Sequence, residues 1–144
     1  MAGRKKVLVV DDVAISLSVT EQALREDYDV ITVNSGSRAL RYLKREKPDL
    51  ILLDIRMDEM NGVETLKEIR KMDNRADIPV IMLTAMSDKA LVLETAKLGI
   101  YHYMLKPFAP QELLKRVRAA LKDDKGILQG LQEFLDEMER KGGR

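Results

Sequence analysis

Five short apolar runs, at residues 7–10, 30–33, 50–53, 80–83 and 101–105, constrain this chain most, because each is strand-sized and each is stopped by polar residues. None alternates strictly. Runs of Val, Ile and Leu without alternation are what strands buried on both faces require. Between and after them, apolar residues recur at helical spacing: Ile15, Val19 and Ala23; Ala39, Leu40 and Leu43; Val63, Leu66 and Ile69; Leu91, Leu93 and Leu98; Leu113, Leu114, Val117 and Leu121. A βα unit repeated five times predicts an α/β fold, a parallel sheet with helices on both faces and right-handed crossovers. The punctuation agrees. Ser35 and Gly36 precede the second helix, Pro48 closes it, Gly62 opens the third and Pro79 leads into the fourth strand.

A chain of 144 residues, 45% of them hydrophobic, suits one domain with a substantial core. Its 25 Lys and Arg are balanced by 24 Asp and Glu, which leaves no broad basic field to hold a nucleic-acid backbone. The chain by itself is therefore expected not to bind nucleic acid. There is no cysteine, so disulfides and thiolate metal sites are excluded. Asp11 and Asp12 stop the N-terminal apolar run after four residues, too soon for a signal peptide or a membrane span. A soluble, cytoplasmic protein is expected.

In parallel α/β sheets, ligands bind outside the carboxyl ends of the strands. Asp11 and Asp12 follow the first strand, Asp54 the third, Thr84 the fourth and Lys106 the fifth, whereas the second ends in the neutral Asn34. Three carboxylates on neighbouring loops repel unless a cation neutralises them, and an all-oxygen set suits Mg²⁺. Thr84 and Lys106 add a hydroxyl and an ammonium fit for phosphoryl oxygens. With no His, Ser or Cys nucleophile in the set, the covalent chemistry it suits is attack by a carboxylate on phosphorus. Asp54 is the preferred nucleophile because its strand lies centrally. Each residue also has an ordinary reading: an acidic pair that caps a helix, a strand-end hydroxyl, a solvated lysine. Their joint placement favours chemistry.

The segments KVLVVDD, LILLDIRM, VIMLTA and YMLKPF occur in that order, each at a strand end, and together resemble the receiver domain of two-component response regulators. The resemblance covers residues 4–122. It implies a flavodoxin-like sheet of order 2-1-3-4-5, with Asp54 as phospho-acceptor, Asp12 as direct Mg²⁺ ligand, Asp11 acting through water and the Arg56 backbone carbonyl completing the protein's share of the metal shell. It further implies that Thr84 and Lys106 bind the phosphoryl group, that Tyr103 is the aromatic that changes rotamer, and that Pro107 follows a cis peptide bond. The implied donor is a phosphohistidine on a sensor histidine kinase. The implied output is a changed surface around the fourth helix, fifth strand and fifth helix, read by a downstream protein. Such a domain catalyses only its own phosphorylation and dephosphorylation. His102, the lone histidine, is given no catalytic role.

One departure stands beside the acceptor. Many receivers read Met-Pro there, whereas this chain has Met57-Asp58-Glu59, which adds two acids and predicts altered Mg²⁺ affinity or phosphoryl lifetime. Arg56 and Met86 flank the site and would screen it from water. Beyond a candidate linker at 123–126, Ile127, Leu128, Leu131, Phe134, Leu135 and Met138 fall at helical spacing, with Glu133, Asp136, Glu137 and Arg140 on other faces. Residues 123–144 thus read as linker plus amphipathic helix. That helix could dock on its own receiver, form a homodimer, or lead to an output domain.

Three other functions compete. A receiver-shaped scaffold that is never phosphorylated would need a broken site. A phosphatase of the haloacid-dehalogenase type would place Asp-x-Asp after the first strand, where this chain has adjacent aspartates. A nucleotide-binding module is weaker still, since neither a Walker loop nor G-x-G-x-x-G follows the first strand.

Overall fold

The computed structural model describes residues 3–85, 88–122 and 131–142. Along the chain run β1 (Lys6–Val10), α1 (Ala14–Leu24), β2 (Asp29–Val33), α2 (Gly36–Arg45), β3 (Leu50–Asp54), α3 (Gly62–Lys71), β4 (Val80–Thr84), α4 (Lys89–Ala96), β5 (His102–Leu105), α5 (Pro110–Lys122) and α6 (Leu131–Gly142). The strands form one parallel sheet in the order β2-β1-β3-β4-β5. This is the flavodoxin-like order expected. The fifth run begins one residue before β5, at Tyr101, whose N–H still bonds the Val80 carbonyl at 2.7 Å.

Successive side chains of a strand point to opposite faces, so one apolar run can line two cores. Leu8 and Val10, Ile51 and Leu53, Val80 and Met82 join α2, α3, α4 and α6 on one face. Val7 and Val9, Leu50 and Leu52, Ile81 and Leu83 join α1 and α5 on the other. That is why the runs do not alternate.

The helix starts differ in how firmly they are set. Ser35 caps α2, accepting from Arg38 N–H, and Asn61 with Glu64 forms a reciprocal capping box at α3. Val13 and Asp88, at the starts of α1 and α4, make no side-chain cap. Gly62 is required by close approach: a Cβ there would lie 2.3 Å from the Asp54 carbonyl oxygen and 2.7 Å from Ile55 Cα. The tight entry to α3 therefore seats directly against the backbone that carries Asp54.

Of the three roles open to the C-terminal helix, the structure displays docking. Phe134, Leu135 and Met138 are buried in the core cluster shared with α4 and β5. The candidate linker at 123–126, Ile127 and Leu128 lie outside the described residues. Among the described residues, no helix is long and apolar enough to cross a membrane.

Candidate functional site

The sheet brings Asp11, Asp12, Asp54, Thr84 and Lys106 to its carboxyl edge from four strand ends. Asp11 and Asp54 are 0% and 6% exposed, Thr84 is fully buried, and Asp12 is half-buried. One oxygen from each of the three carboxylates lies within 4.8 Å of the others. Lys106 Nζ bridges two of them, at 2.8 Å from Asp11 Oδ2 and 3.4 Å from Asp54 Oδ2. The ammonium thus offsets part of the charge already.

Asp11 is fully engaged. Its Oδ1 accepts from Val13 N–H at 3.0 Å, and its Oδ2 accepts from Ser16 Oγ–H and Lys106. Burial alone would raise its pKa, but the hydrogen bonds from Lys106, Ser16 and Val13 outweigh it and hold the carboxyl below its ordinary value. Asp12 keeps more freedom, with Oδ2 accepting from Asp58 N–H at 2.9 Å.

Asp54 behaves oppositely. Burial pushes its carboxyl up to about 7; Lys106 opposes the rise, and Asp11 beside it adds to it. An additional cation would favour the ionised form, which is the nucleophilic one. The donors present fit such a cation. They are all carboxylate oxygens, close together and held by backbone and side-chain hydrogen bonds, the set that hard divalent ions select.

Thr84 donates from Oγ1 to the Ala85 carbonyl at 3.1 Å, and Lys106 N–H reaches the Thr84 carbonyl at 2.8 Å, joining β4 to β5 beside the acids. The Lys106–Pro107 bond is cis, as the resemblance implied. Tyr103 is 1% exposed. Its hydroxyl donates to the Val92 carbonyl at 2.8 Å and lies 2.9 Å from Thr95 Oγ1, so it is committed to α4, and burial pushes its pKa up to about 12. Its ring stacks on Phe134 of α6, with centroids 4.8 Å apart and 18° between planes. His102 stands apart from the acids, with Nε2 accepting from Arg116 at 2.9 Å.

Arg56 does not lie over the acids as a screen. Its guanidinium turns to Asp88, with Nε–Oδ1 and Nη2–Oδ1 at 2.7 and 2.6 Å, and Asp88 is almost wholly buried. Met86, the other expected screen, lies outside the described residues. Sequence reasoning missed Ser16 and Asp88. Ser16 is five residues from its partner and Asp88 thirty-two, and neither stands at a strand end, the only signal used.

A doubly wound sheet with three carboxylates, a hydroxyl and an ammonium gathered at its carboxyl edge defines an α/β domain with a candidate cation site. The chain matches the family described as response regulator receiver domain over residues 7–118, and it belongs to that family. It is 40% identical over 139 residues to the alkaline phosphatase synthesis transcriptional regulatory protein PhoP of Bacillus subtilis (strain 168), spanning 94% of this chain and 56% of that protein. It is 37% identical over 120 residues to the DNA-binding response regulator MtrA of Mycobacterium leprae (strain TN), spanning 83% and 52%. This chain spans about half the length of the curated relatives it matches. Among solved structures it resembles a putative response regulator from Chloroflexus aurantiacus J-10-fl (TM-score 0.79, 30% identity, 84% of this chain and 100% of that one). It also resembles the chemotaxis response regulator CheY4 of Vibrio cholerae (TM-score 0.76, 30% identity, 83% and 100%).

Proposed function

We propose that this receiver domain, residues 4–122, accepts a phosphoryl group on Asp54 from a phosphohistidine of a sensor histidine kinase and transmits the change through the surface formed by α4, β5 and α5. The observation that carries this reading is Asp54 itself, a buried carboxylate 3.4 Å from the Lys106 ammonium and within one cation's reach of Asp11 and Asp12. In the transfer, one Asp54 oxygen bonds to phosphorus as the P–N bond to the donor histidine breaks, leaving an acyl phosphate. Phosphoryl transfer asks mainly for positioning and charge neutralisation.

We assign a Mg²⁺ to Asp12, Asp54 and the Arg56 backbone carbonyl, with Asp11 acting through water. The assignment is supported by the engagement of Asp11 with three donors of its own, where Asp12 accepts from the Asp58 N–H. Bound there, the ion would neutralise charge on the phosphoryl oxygens. Lys106 would hold a second oxygen, and Thr84 would give up the Ala85 carbonyl to donate to a third. Tyr103 would then leave its place against α4. The domain acts on no other substrate. PhoP and MtrA carry names that describe transcriptional regulation and DNA binding by those longer proteins; the balance of charge here supports a protein as the receiver's own partner. A cytoplasmic location belongs to the same proposal, because donor and acceptor must meet in one compartment.

Beryllofluoride with Mg²⁺, a mimic of the phosphorylated carboxylate, tests the reading by NMR. Shifts at Thr84 and Tyr103 that require Mg²⁺ and vanish in Asp54→Asn are expected. A correctly folded chain that shows no Mg²⁺-dependent response would be a receiver-shaped scaffold instead.

A further inference from the structure

The face formed by α4, β5 and α5 is not bare in this chain, because α6 lies on it. Phe134, Leu135 and Met138 of α6 are 4%, 7% and 3% exposed, whereas Asp136, Glu139, Arg140 and Lys141 are turned to solvent. The buried three belong to the same core cluster as Val92 of α4 and Tyr103 of β5. The described part of the apolar stripe of α6 is therefore spent on its own receiver.

We propose that this face is a docking surface for an amphipathic helix, that its resident occupant is the chain's own α6, and that phosphorylation of Asp54 releases it. The proposal rests on the reading of Asp54 as the acceptor. Its hinge is Tyr103. The ring of that residue is held on one side by the Phe134 stack and at its hydroxyl by Val92 and Thr95 of α4. A rotamer change at Tyr103 breaks both attachments at once, so movement of the ring removes a contact that holds the docked helix.

The rest of the interface is built to let go. Its ion pair with α4, Lys89 Nζ to Glu139 Oε1 at 3.6 Å, joins two exposed side chains and holds weakly. On the α5 side a crevice of about 190 Å³ separates α6 from β5 and α5, with Glu112, Arg116, Glu137 and Lys141 along it. Charged groups along a partly open seam resist dry packing. Among the described residues, three apolar side chains along one edge secure α6, and a helix so held belongs to the low-stability end of a structure, from which moving elements are drawn. A second link runs from the acidic site to the same interface: Arg56, next but one to Asp54, grips buried Asp88 directly before α4, the helix on which α6 rests.

Coupling between two sites is reciprocal. If the phosphoryl state weakens α6 docking by some factor, the undocked chain must favour the phosphoryl state over the docked one by the same factor. Hydrogen exchange of the full chain, with and without Mg²⁺ and beryllofluoride, reads the first quantity; beryllofluoride affinity in Phe134→Ala reads the second. We expect amides of residues 131–142 to lose protection on beryllofluoride binding, and Phe134→Ala to lose it without beryllofluoride and to bind the ligand about tenfold more tightly, within the usual range of such couplings. Lys89→Glu, which sets like charges against each other at the surface and leaves the core intact, should move both quantities the same way by a smaller amount. Asp54-dependent beryllofluoride binding with unchanged or greater protection of α6, and unchanged affinity in both variants, would overturn the α6 proposal and leave the acceptor reading standing. Absence of beryllofluoride binding in folded native chain would remove the acceptor reading, and this proposal with it.

Discussion

Asp58 shows how a single residue can carry two effects that a careless substitution would mix. Its exposed carboxylate adds charge beside the acids, and its N–H donates to Asp12 at 2.9 Å. Asp58→Pro, the change toward the common pattern, would remove both together, since proline has no N–H. Asp58→Asn removes the charge alone. An exposed charge contributes about 0.2–1 kcal/mol, so Mg²⁺ affinity in Asp58→Asn should fall by less than about fivefold. A Mg²⁺ titration followed by NMR would check this, and an affinity equal to the native value would mean that the turn is electrostatically inert. At this scale the site is largely legible in sequence. Asp11, Asp12, Asp54, Thr84 and Lys106 each stand at the end of an apolar run, and a parallel sheet brings such ends together. Ser16 and Asp88 escape because their significance lies in partners set by the fold. Arg56 looks like a shield in sequence for the same reason; only the position of α4 shows where its guanidinium goes.

Among the elements, α4 has its start set from outside. Asn61 at the head of α3 satisfies its own helix through a capping box, whereas Asp88 stands in the equivalent position of α4 and makes no side-chain cap. Its carboxylate is given to Arg56 instead, across thirty-two residues. The β3 loop thus holds the entrance of α4. Removing one partner of a fully buried pair costs about 3–5 kcal/mol, but the Arg56 side chain is 68% exposed, so solvent screening must reduce the figure. Single substitutions Arg56→Ala and Asp88→Ala and their combination, followed by urea unfolding, should yield a coupling of about 1 kcal/mol. Additive effects would show that the two elements are merely adjacent. The helix itself is legible from the spacing of Leu91 and its neighbours, since periodicity reports a buried stripe. How a helix is anchored is not legible, because a cap residue in sequence gives no sign that another element has taken its side chain.

For the whole molecule the question is where the cooperative unit ends. The βα alternation makes the five-stranded sheet readable from sequence, since each run must be covered on both faces and only one architecture supplies the helices in that order. The address of α6 is not readable in this way: an amphipathic stripe states that something must cover it and says nothing of what. In the fold, one core cluster is covered by α1 and α5, and the other is lined by α2, α3 and α4 before Phe134, Leu135 and Met138 of α6 join it at the α4 and β5 edge. The apolar gain from those side chains is offset by the entropy of ordering the twelve residues of α6. A chain ending at Lys122 should therefore fold cooperatively and keep its Asp54-dependent response to beryllofluoride. Its net loss should be about 1–2 kcal/mol, a fall in Tm of roughly 2–8 °C for a domain of this size. Calorimetry of the shortened chain measures this directly. A single transition shifted by that amount would establish residues 4–122 as the folding unit, with α6 as an addition resting on it. Loss of the transition would make α6 part of the core, and the boundary at residue 122 would be wrong.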